Sequence, residues 1–212
     1  MPELALSPAH TGTIRLGYHG SPEVTSRIVR LAGHDESAVS LCEYDIADPF
    51  RELRAGELDL IIVKFGLDEP ELVISRVLTH DARAVVVAAD HPLAQHDSVS
   101  LEDIADYDVF DRPGDFPAYV WDEVVPARTP SGRRIHRGHR VSTIPQMMKL
   151  VASGAGVHIS LISLADVAPP GIRVVPIHDM RPAPVTVAWL RGRNVPAHVL
   201  DFVAAAETGA SR

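Results

Sequence analysis

The stretch Thr13–Leu31 constrains the fold more than any other part of the chain. Apolar side chains stand at every second position, at Ile14, Leu16 and Tyr18, and this alternation predicts a strand. A glycine turn follows, and Ser21 then stands at the N-cap position of a helix that begins with proline and glutamate. Such a junction presents backbone N–H groups and a hydroxyl at the carboxyl end of a sheet, which suits an anion or a carboxylate. On the local sequence alone, the alternative that Ser21 only caps its own helix stays open.

The bulk composition excludes several classes of protein. Of the 212 residues 46% are hydrophobic, which is enough for one large folded domain or two modest lobes. The formal net charge is −8 and only 5% of residues are aromatic, so nucleic-acid binding by this chain itself is not expected. The single cysteine, Cys42, lies in a predicted strand and is expected to be a small buried hydrophobe.

The chain also shows no pattern that would direct it to a membrane. Its first residues lack the basic and apolar regions of a signal peptide, and no apolar run is long enough to span a bilayer. We therefore expect a cytoplasmic protein without a membrane partner.

The first third of the sequence predicts an open α/β lobe. A second strand is expected at about 38–44 and a short helix at about 49–55. The almost unbroken apolar run at 58–63 is typical of a strand buried on both faces, as in a parallel sheet covered by helices. The order β-α-β-α-β follows.

The second half repeats this theme. A strand is predicted at 134–141, and Ser142 or Thr143 then caps a helix that Gly154 ends. If the two lobes face each other, this helix and the helix capped by Ser21 would both point their N-termini into one cleft.

Five segments, in order along the chain, carry a family likeness. They are TGTIRLGY at 11–18, LRAGELDLIIV at 53–63, VVVAADHPLAQ at 85–95, SLEDIADYDV at 100–109 and LVASGAGVHISL at 150–161. With these segments the sequence closely resembles the effector-binding domain of LysR-type transcriptional regulators. One departure is that Ser160 to Ser163 stand where many members of the family have a proline.

The resemblance implies a periplasmic-binding-protein-like (type II) α/β fold, in which two α/β lobes are joined by two crossover strands. Residues 1–11 would be a remnant of the linker helix. Residues 12–88 together with 181–212 would form lobe I, and residues 89–180 would form lobe II. The family binds a small-molecule effector between the lobes, and the helix N-termini and hydroxyl groups described above lead us to expect an anionic effector here.

The resemblance also assigns candidate effector-binding residues by position. They come from the turn after the first strand, the ends of the second and third strands, a loop of lobe II and the cap of its helix. The candidates are His19, Gly20, Ser21, Asp45, Ile46, Lys64, Phe65, Arg112, Pro113, Phe116, Ser142 and Thr143.

Binding is expected rather than catalysis. The sequence has no GxSxG elbow, Walker loop, HExxH motif or paired-cysteine metal motif, so no catalytic residue, cofactor or metal is predicted. His136 and His139 lie three apart on a predicted strand, where side chains at that spacing point to opposite faces. The hydroxyl groups and the charge of Lys64 or Arg112 favour a carboxylate ligand.

The expected assembly is a homodimer, with a tetramer in a full-length protein. DNA would be contacted only through a winged helix-turn-helix domain that this chain lacks. Two alternatives stay open: a solute-binding protein of a transporter, and an enzyme on the same two-lobe fold. A prephenate dehydratase-like enzyme is one example, although the Thr-Arg-Phe motif of that family is not found.

Overall fold

The first sheet along the chain is built from residues near both ends of the sequence. The computed structural model describes residues 12–211, so the expected linker remnant at 1–11 lies outside the described residues. The strand order is β2-β1-β3-β11-β4, and β5 also pairs with β11. Strand β1 is parallel to β2 and β3, whereas β11 is antiparallel to β3, β4 and β5. The strands are β1 (Ile14–Tyr18), β2 (Val39–Glu43), β3 (Leu60–Lys64), β4 (Leu72–Ile74), β5 (Thr79–Asp81) and β11 (Ala183–Leu190).

Strand β3 is the buried centre of this sheet, as its apolar run predicts. Leu60 and Ile62 pack against helices α1 (Pro22–Leu31) and α6 (Ala197–Ala210) on one face. On the other face, Ile61 and Val63 pack in a second cluster with Phe50 and Leu53, beside helix α2 (Arg51–Ala55). Both faces are covered because side chains alternate along a strand.

The second unit contains a separate sheet with β6 at its centre. Strand β6 pairs antiparallel with both β9 and β10, while β7 and β8 form a parallel pair beside them. Val109 also bridges Val157, which links this pair to the rest of the unit. The elements are β6 (Arg83–Ala88), α3 (Leu101–Ile104), β7 (Val109–Asp111), α4 (Ala118–Val124), β8 (Arg137–Arg140), α5 (Ile144–Ala152), β9 (His158–Leu161), a 3-10 helix (Ile162–Val167) and β10 (Ile172–Pro176).

The chain crosses between the two sheets twice. It leaves the first sheet at the end of β5 and enters the second at β6, and it returns between β10 and β11. The sequence analysis assigned residues 83–88 to lobe I, but β6 hydrogen-bonds only within the second sheet. The first crossover therefore falls at residue 82, between β5 and β6. The apolar pattern of 83–88 predicts a buried strand but does not indicate which sheet that strand joins.

The expectation for Cys42 is wrong. Its strand β2 lies at the edge of the first sheet, and the cysteine side chain is exposed. Alternation along β2 places Val39 in the core and turns Cys42 toward solvent.

Candidate functional site

A cavity of about 130 Å³ lies between the two units and is walled by both. The turn after β1 and strand β3 form one side, and helices α4 and α5 with strand β9 form the other. Its surface is mainly aliphatic and aromatic, with few polar groups. An apolar protein cavity of about 150 Å³ binds benzene, so the space suits a molecule with a single small ring. Apolar residues that line it include Tyr44, Phe50, Ile61, Phe65, Leu67, Val120, Val124, Met147, Leu161 and Leu164.

The structure brings nine of the twelve candidate residues together at this cavity. They come from segments far apart in the sequence, and they meet because the two crossovers bring the carboxyl ends of β1 and β3 opposite α4 and α5. The nine are His19, Gly20, Ile46, Lys64, Phe65, Pro113, Phe116, Ser142 and Thr143. Ser21, Asp45 and Arg112 are not part of its wall.

Ser21 caps helix α1 as the sequence predicts, but it does so behind the wall of the cavity. Its Oγ accepts a hydrogen bond from the Glu23 N–H at 3.2 Å and donates one to the carboxylate of Asp166. The Ser21 residue is 1% exposed. The Gly20 N–H, which does border the cavity, faces the carboxylate of Glu43 at 3.4 Å. The start of α1 is thus already supplied with two carboxylates of the protein itself.

Asp45 and Arg112 form hydrogen bonds within their own loops and do not line the cavity. The Asp45 carboxylate accepts a hydrogen bond from the Ala47 N–H at 2.8 Å. The Arg112 guanidinium donates to the Phe116 carbonyl at 2.7 Å, which orders the loop that carries Phe116 to the cavity. Short-range turn bonds of this kind position lining residues without the donors or acceptors themselves reaching the cavity.

The start of helix α5 forms the rim. Thr143 caps the helix by accepting the Gln146 N–H at 3.3 Å, and the Gln146 side chain accepts the Ser142 N–H at 3.0 Å. Both Ser142 and Thr143 are exposed. This half of the expected two-helix arrangement therefore does face the cleft.

Lys64 is the cationic residue of the cavity wall, and its charge is already partnered. Its Nζ lies 3.0 Å from the Ser163 hydroxyl and 3.2 Å from the Asp81 carboxylate. The Ser163 hydroxyl donates to the same carboxylate at 2.6 Å. Burial lowers the pKa of Lys64, and the charges of Asp81 and Asp166 oppose that shift. An ammonium group has three N–H donors, so one remains for a ligand.

Three buried ring nitrogens of cavity-lining side chains have no hydrogen-bond partner: His19 Nδ1, His158 Nδ1 and Trp121 Nε1. The rings of Trp121 and His158 stack at 6.1 Å with an interplanar angle of 29°. Burial is the main cause that lowers the pKa of both histidines to about 4, so both are neutral at pH 7. An indole nitrogen can only donate, and each neutral imidazole also carries one N–H. The cavity wall therefore contains one buried indole donor that lacks an acceptor, and two buried imidazole nitrogens, each a donor or an acceptor according to its tautomer, that lack a partner. Such an arrangement is rare without a ligand or water.

A second buried cation lies behind Phe65. The Arg83 guanidinium sits 4.9 Å from the centroid of the Phe65 ring, and the arginine is 3% exposed. It hydrogen-bonds the carbonyls of Ser160 and Glu123 at 3.3 and 3.1 Å, and that of Val124. Burial lowers the pKa of Arg83 to about 10, so it stays charged at pH 7 and contributes a positive potential to this side of the cavity.

Sequence comparison identifies the family. A model of the LysR substrate binding domain matches residues 9–211. The chain belongs to this LysR family. The HTH-type transcriptional regulator ShiR from Corynebacterium glutamicum (strain R) is 28% identical to this chain over 145 residues. The aligned part covers 66% of this chain and 48% of that protein. The chain thus spans about half the length of this relative.

Solved LysR-family structures share the two-lobe periplasmic-binding-protein-like fold, which confirms the predicted architecture. The effector-binding domain of QuiR in complex with shikimate matches with a TM-score of 0.70 and 22% identity, over 95% of this chain and 98% of that one. The effector-binding domain of BenM with benzoate matches at 0.66 and 20%, over 94% and 92%. Full-length CbnR complexed with its target DNA matches at 0.74 and 18%, over 95% and 72%.

Two further groups of features concern metals and membranes. Within residues 12–211 no cluster of three or more histidine, cysteine or acidic side chains is arranged to hold a metal ion. His136 instead contacts Asp108 at 2.7 Å. No helix in that same range combines the length and apolar character needed to cross a bilayer.

The family resemblance did not identify several polar residues of the site. The candidates do not include Asp81, Ser163, His158 or Trp121. The groups that Asp81, Ser163 and His158 meet at the site lie far from them in sequence, whereas Trp121 also contacts the nearby Phe116. Only Ser163 had a signal, since it falls in the segment where the expected family proline is absent.

Proposed function

We propose that this LysR-family domain binds a small monocarboxylate with a single six-membered ring in the cavity between its lobes. The observation that carries the proposal is the set of buried, partnerless ring nitrogens of His19, His158 and Trp121. The Trp121 indole N–H and the remaining N–H of Lys64 are donors that match a carboxylate acceptor, and each imidazole adds a further donor in the tautomer that places its N–H on Nδ1. The apolar wall suits the ring, and the volume suits a ligand of this size.

The buried charge of Arg83 also supports an anion, because its hydrogen-bond partners are carbonyl groups and not carboxylates. Lys64 and Arg83 provide two buried cations near the cavity, while Asp81 is the buried carboxylate that pairs with Lys64. The relatives point to the same chemical class, because the QuiR and BenM domains were solved with shikimate and benzoate, each a six-membered ring with one carboxylate.

Benzoate and shikimate are the first probes, and benzamide is the matched neutral analogue of benzoate. Isothermal titration should show binding of at least one carboxylate, and benzamide should bind at least about tenfold more weakly than benzoate where benzoate binds. Trp121→Phe keeps a ring but removes the N–H, and it should weaken carboxylate binding about tenfold. Trp189→Phe is the matched control, because Trp189 packs on the far side of the first sheet's core and is not part of the cavity wall.

Equal affinity of benzoate and benzamide, or an unchanged affinity in Trp121→Phe, would contradict the proposed role of the buried donors. Binding of neither carboxylate would contradict the proposed ligand class.

We also propose that the chain acts in the cytoplasm as the sensing part of a longer, dimeric transcriptional regulator that is not an enzyme. The support is its family and the length of its relatives, since CbnR was solved as a longer chain with its target DNA. Ligand binding would favour one arrangement of the lobes and pass that preference to DNA-binding domains. Analytical ultracentrifugation should find a dimer, and a strictly monomeric domain would contradict the proposed assembly.

A further inference from the structure

The start of helix α1 is filled by the protein's own acidic side chains. The Ser21 hydroxyl donates to Asp166, and the Gly20 N–H faces Glu43 at 3.4 Å. Helix N-termini and their capping hydroxyls stabilise negative charge, which is why a ligand carboxylate was expected there from the sequence. In this chain the carboxylates of Asp166 and Glu43 already occupy the position where a ligand carboxylate would bind.

Asp166 reaches Ser21 from the opposite unit. It belongs to the 3-10 helix Ile162–Val167 that follows β9, whereas Ser21 belongs to the first unit. Two residues before Asp166, Leu164 lines the cavity, and Gly20 beside Ser21 lines it as well. The Ser21–Asp166 pair therefore lies directly behind the cavity wall.

The negative charge of Asp166 also acts on Lys64 in the wall of the cavity. It favours the charged form of Lys64, which is already paired with Asp81 at 3.2 Å. Two carboxylates thus act on one ammonium group at this end of the cavity. A second ligand carboxylate placed here would meet like charge and would find the Ser21 hydroxyl already engaged.

We propose that Asp166 is a specificity-determining residue, which occupies the carboxylate position at the start of α1 and so restricts the cavity to ligands with one carboxylate. This inference rests on the proposed function, because it assumes that the cavity is the ligand site. The inference adds that the cavity excludes dicarboxylates, because the Asp166 carboxylate occupies the position that their second carboxylate would take.

The test compares benzoate with phthalate, which carries a second carboxylate on the neighbouring ring carbon. Asp166→Ala removes the internal carboxylate and opens its space, whereas Asp166→Asn removes the charge but fills the space. Asp166 is exposed, so neither change should disturb the core. Asp97→Ala is the matched control, because Asp97 is also exposed and is not part of the cavity wall.

Isothermal titration should show phthalate binding at least about tenfold tighter to Asp166→Ala than to the unaltered protein, with benzoate changed by less than about threefold. Asp166→Asn should give a smaller gain, and Asp97→Ala none. Adding Ser21→Ala to Asp166→Ala should abolish the gain, because the hydroxyl that receives the second carboxylate is then absent.

Absence of a phthalate gain in Asp166→Ala, whether or not benzoate binds, would overturn the inference. A gain that survives Ser21→Ala would overturn it as well, since the second carboxylate would then sit elsewhere. If phthalate binding is gained in Asp166→Ala and lost again with Ser21→Ala while benzoate fails to bind any form, the inference holds and the proposed preference for monocarboxylates fails.

Discussion

The two neutral histidines of the cavity make the stability of the domain depend on pH. In the unfolded chain a histidine titrates near pH 6.5, whereas burial lowers the pKa of His19 and His158 to about 4 in the folded protein. Between these values the unfolded chain binds more protons. The free energy of unfolding therefore falls as pH falls from 6.5 to 4, by about 3 kcal/mol for each histidine.

His158→Phe should remove half of this acid sensitivity, because the substituted ring cannot take up a proton. Urea denaturation at pH 7 and at pH 4.5 measures the difference. His96→Gln, a change at an exposed histidine, should keep the full sensitivity. The same loss of stability in His158→Phe as in the unaltered protein would show that His158 does not titrate as described.

The Lys64–Asp81 pair gives a second prediction at the residue scale. The Asp81 side chain is 4% exposed and that of Lys64 is 15% exposed, so removal of either charge leaves the other without its partner in a buried site. Asp81→Asn should lower the free energy of unfolding by about 3–5 kcal/mol.

The double variant Lys64→Met with Asp81→Asn should be more stable than Asp81→Asn alone, because no buried charge then lacks a partner. Urea denaturation of the two single variants and the double variant completes the cycle. Additive losses of free energy would contradict a direct interaction between the two side chains.

At the scale of elements, helices α1 and α6 pack so closely that one glycine is required between them. A Cβ added at Gly209 would lie 2.2 Å from the Leu31 carbonyl oxygen. Gly209→Ala should therefore destabilise the domain by about 1–2 kcal/mol, although glycine to alanine in an open helix usually stabilises. Thermal unfolding measures the sign, and a higher melting temperature would show that α6 can move away from α1 at little cost.

The elements that could be predicted from the sequence are those specified by neighbouring residues. Ser21 and Thr143 cap their helices as expected, since a cap needs only residues two or three positions away. The buried strand β3 is equally local, because its apolar run alone indicates burial on both faces.

The polar centre of the site could not be predicted in the same way. Lys64 and Ser163 are 99 residues apart in sequence, and Ser21 and Asp166 are 145 apart. Their contacts depend on how the two units meet, and no local pattern encodes that. Nine of the residues that line the cavity could be placed through the family resemblance, whereas His158, Trp121 and the hydrogen-bond partners of Lys64 could not.

At the scale of the whole molecule, helix α4 ties the two units together beside the cavity. The Tyr119 hydroxyl accepts the Asp68 N–H at 2.8 Å and donates to Glu69 at 3.0 Å, and the Glu123 carboxylate accepts the Gly66 N–H at 3.2 Å. These bonds join the loop after β3 to the second unit. Since Phe65 and Trp121 beside them line the cavity, the same contacts keep it closed.

Tyr119→Phe should loosen this connection without disturbing either core, because Tyr119 is an exposed residue. Amide hydrogen exchange at residues 66–69 should become faster, and ligand affinity should fall about threefold to tenfold as the closed arrangement becomes less populated. Tyr107→Phe is the control, since Tyr107 packs against His91 within the second unit. Unchanged exchange at 66–69 would show that other contacts hold the units together.

The late position of β11 in the chain sets an order of events during synthesis on the ribosome. Strands β6 to β10 are contiguous, so the second unit has all its strands once residue 176 has emerged. The first sheet cannot be completed at that point, because β11 pairs with β3, β4 and β5 and is synthesised only when residues 183–190 are added. Until then one edge of β3 stays unpaired, and a nascent chain stalled before residue 183 would expose that edge to chaperones and to other unfinished chains.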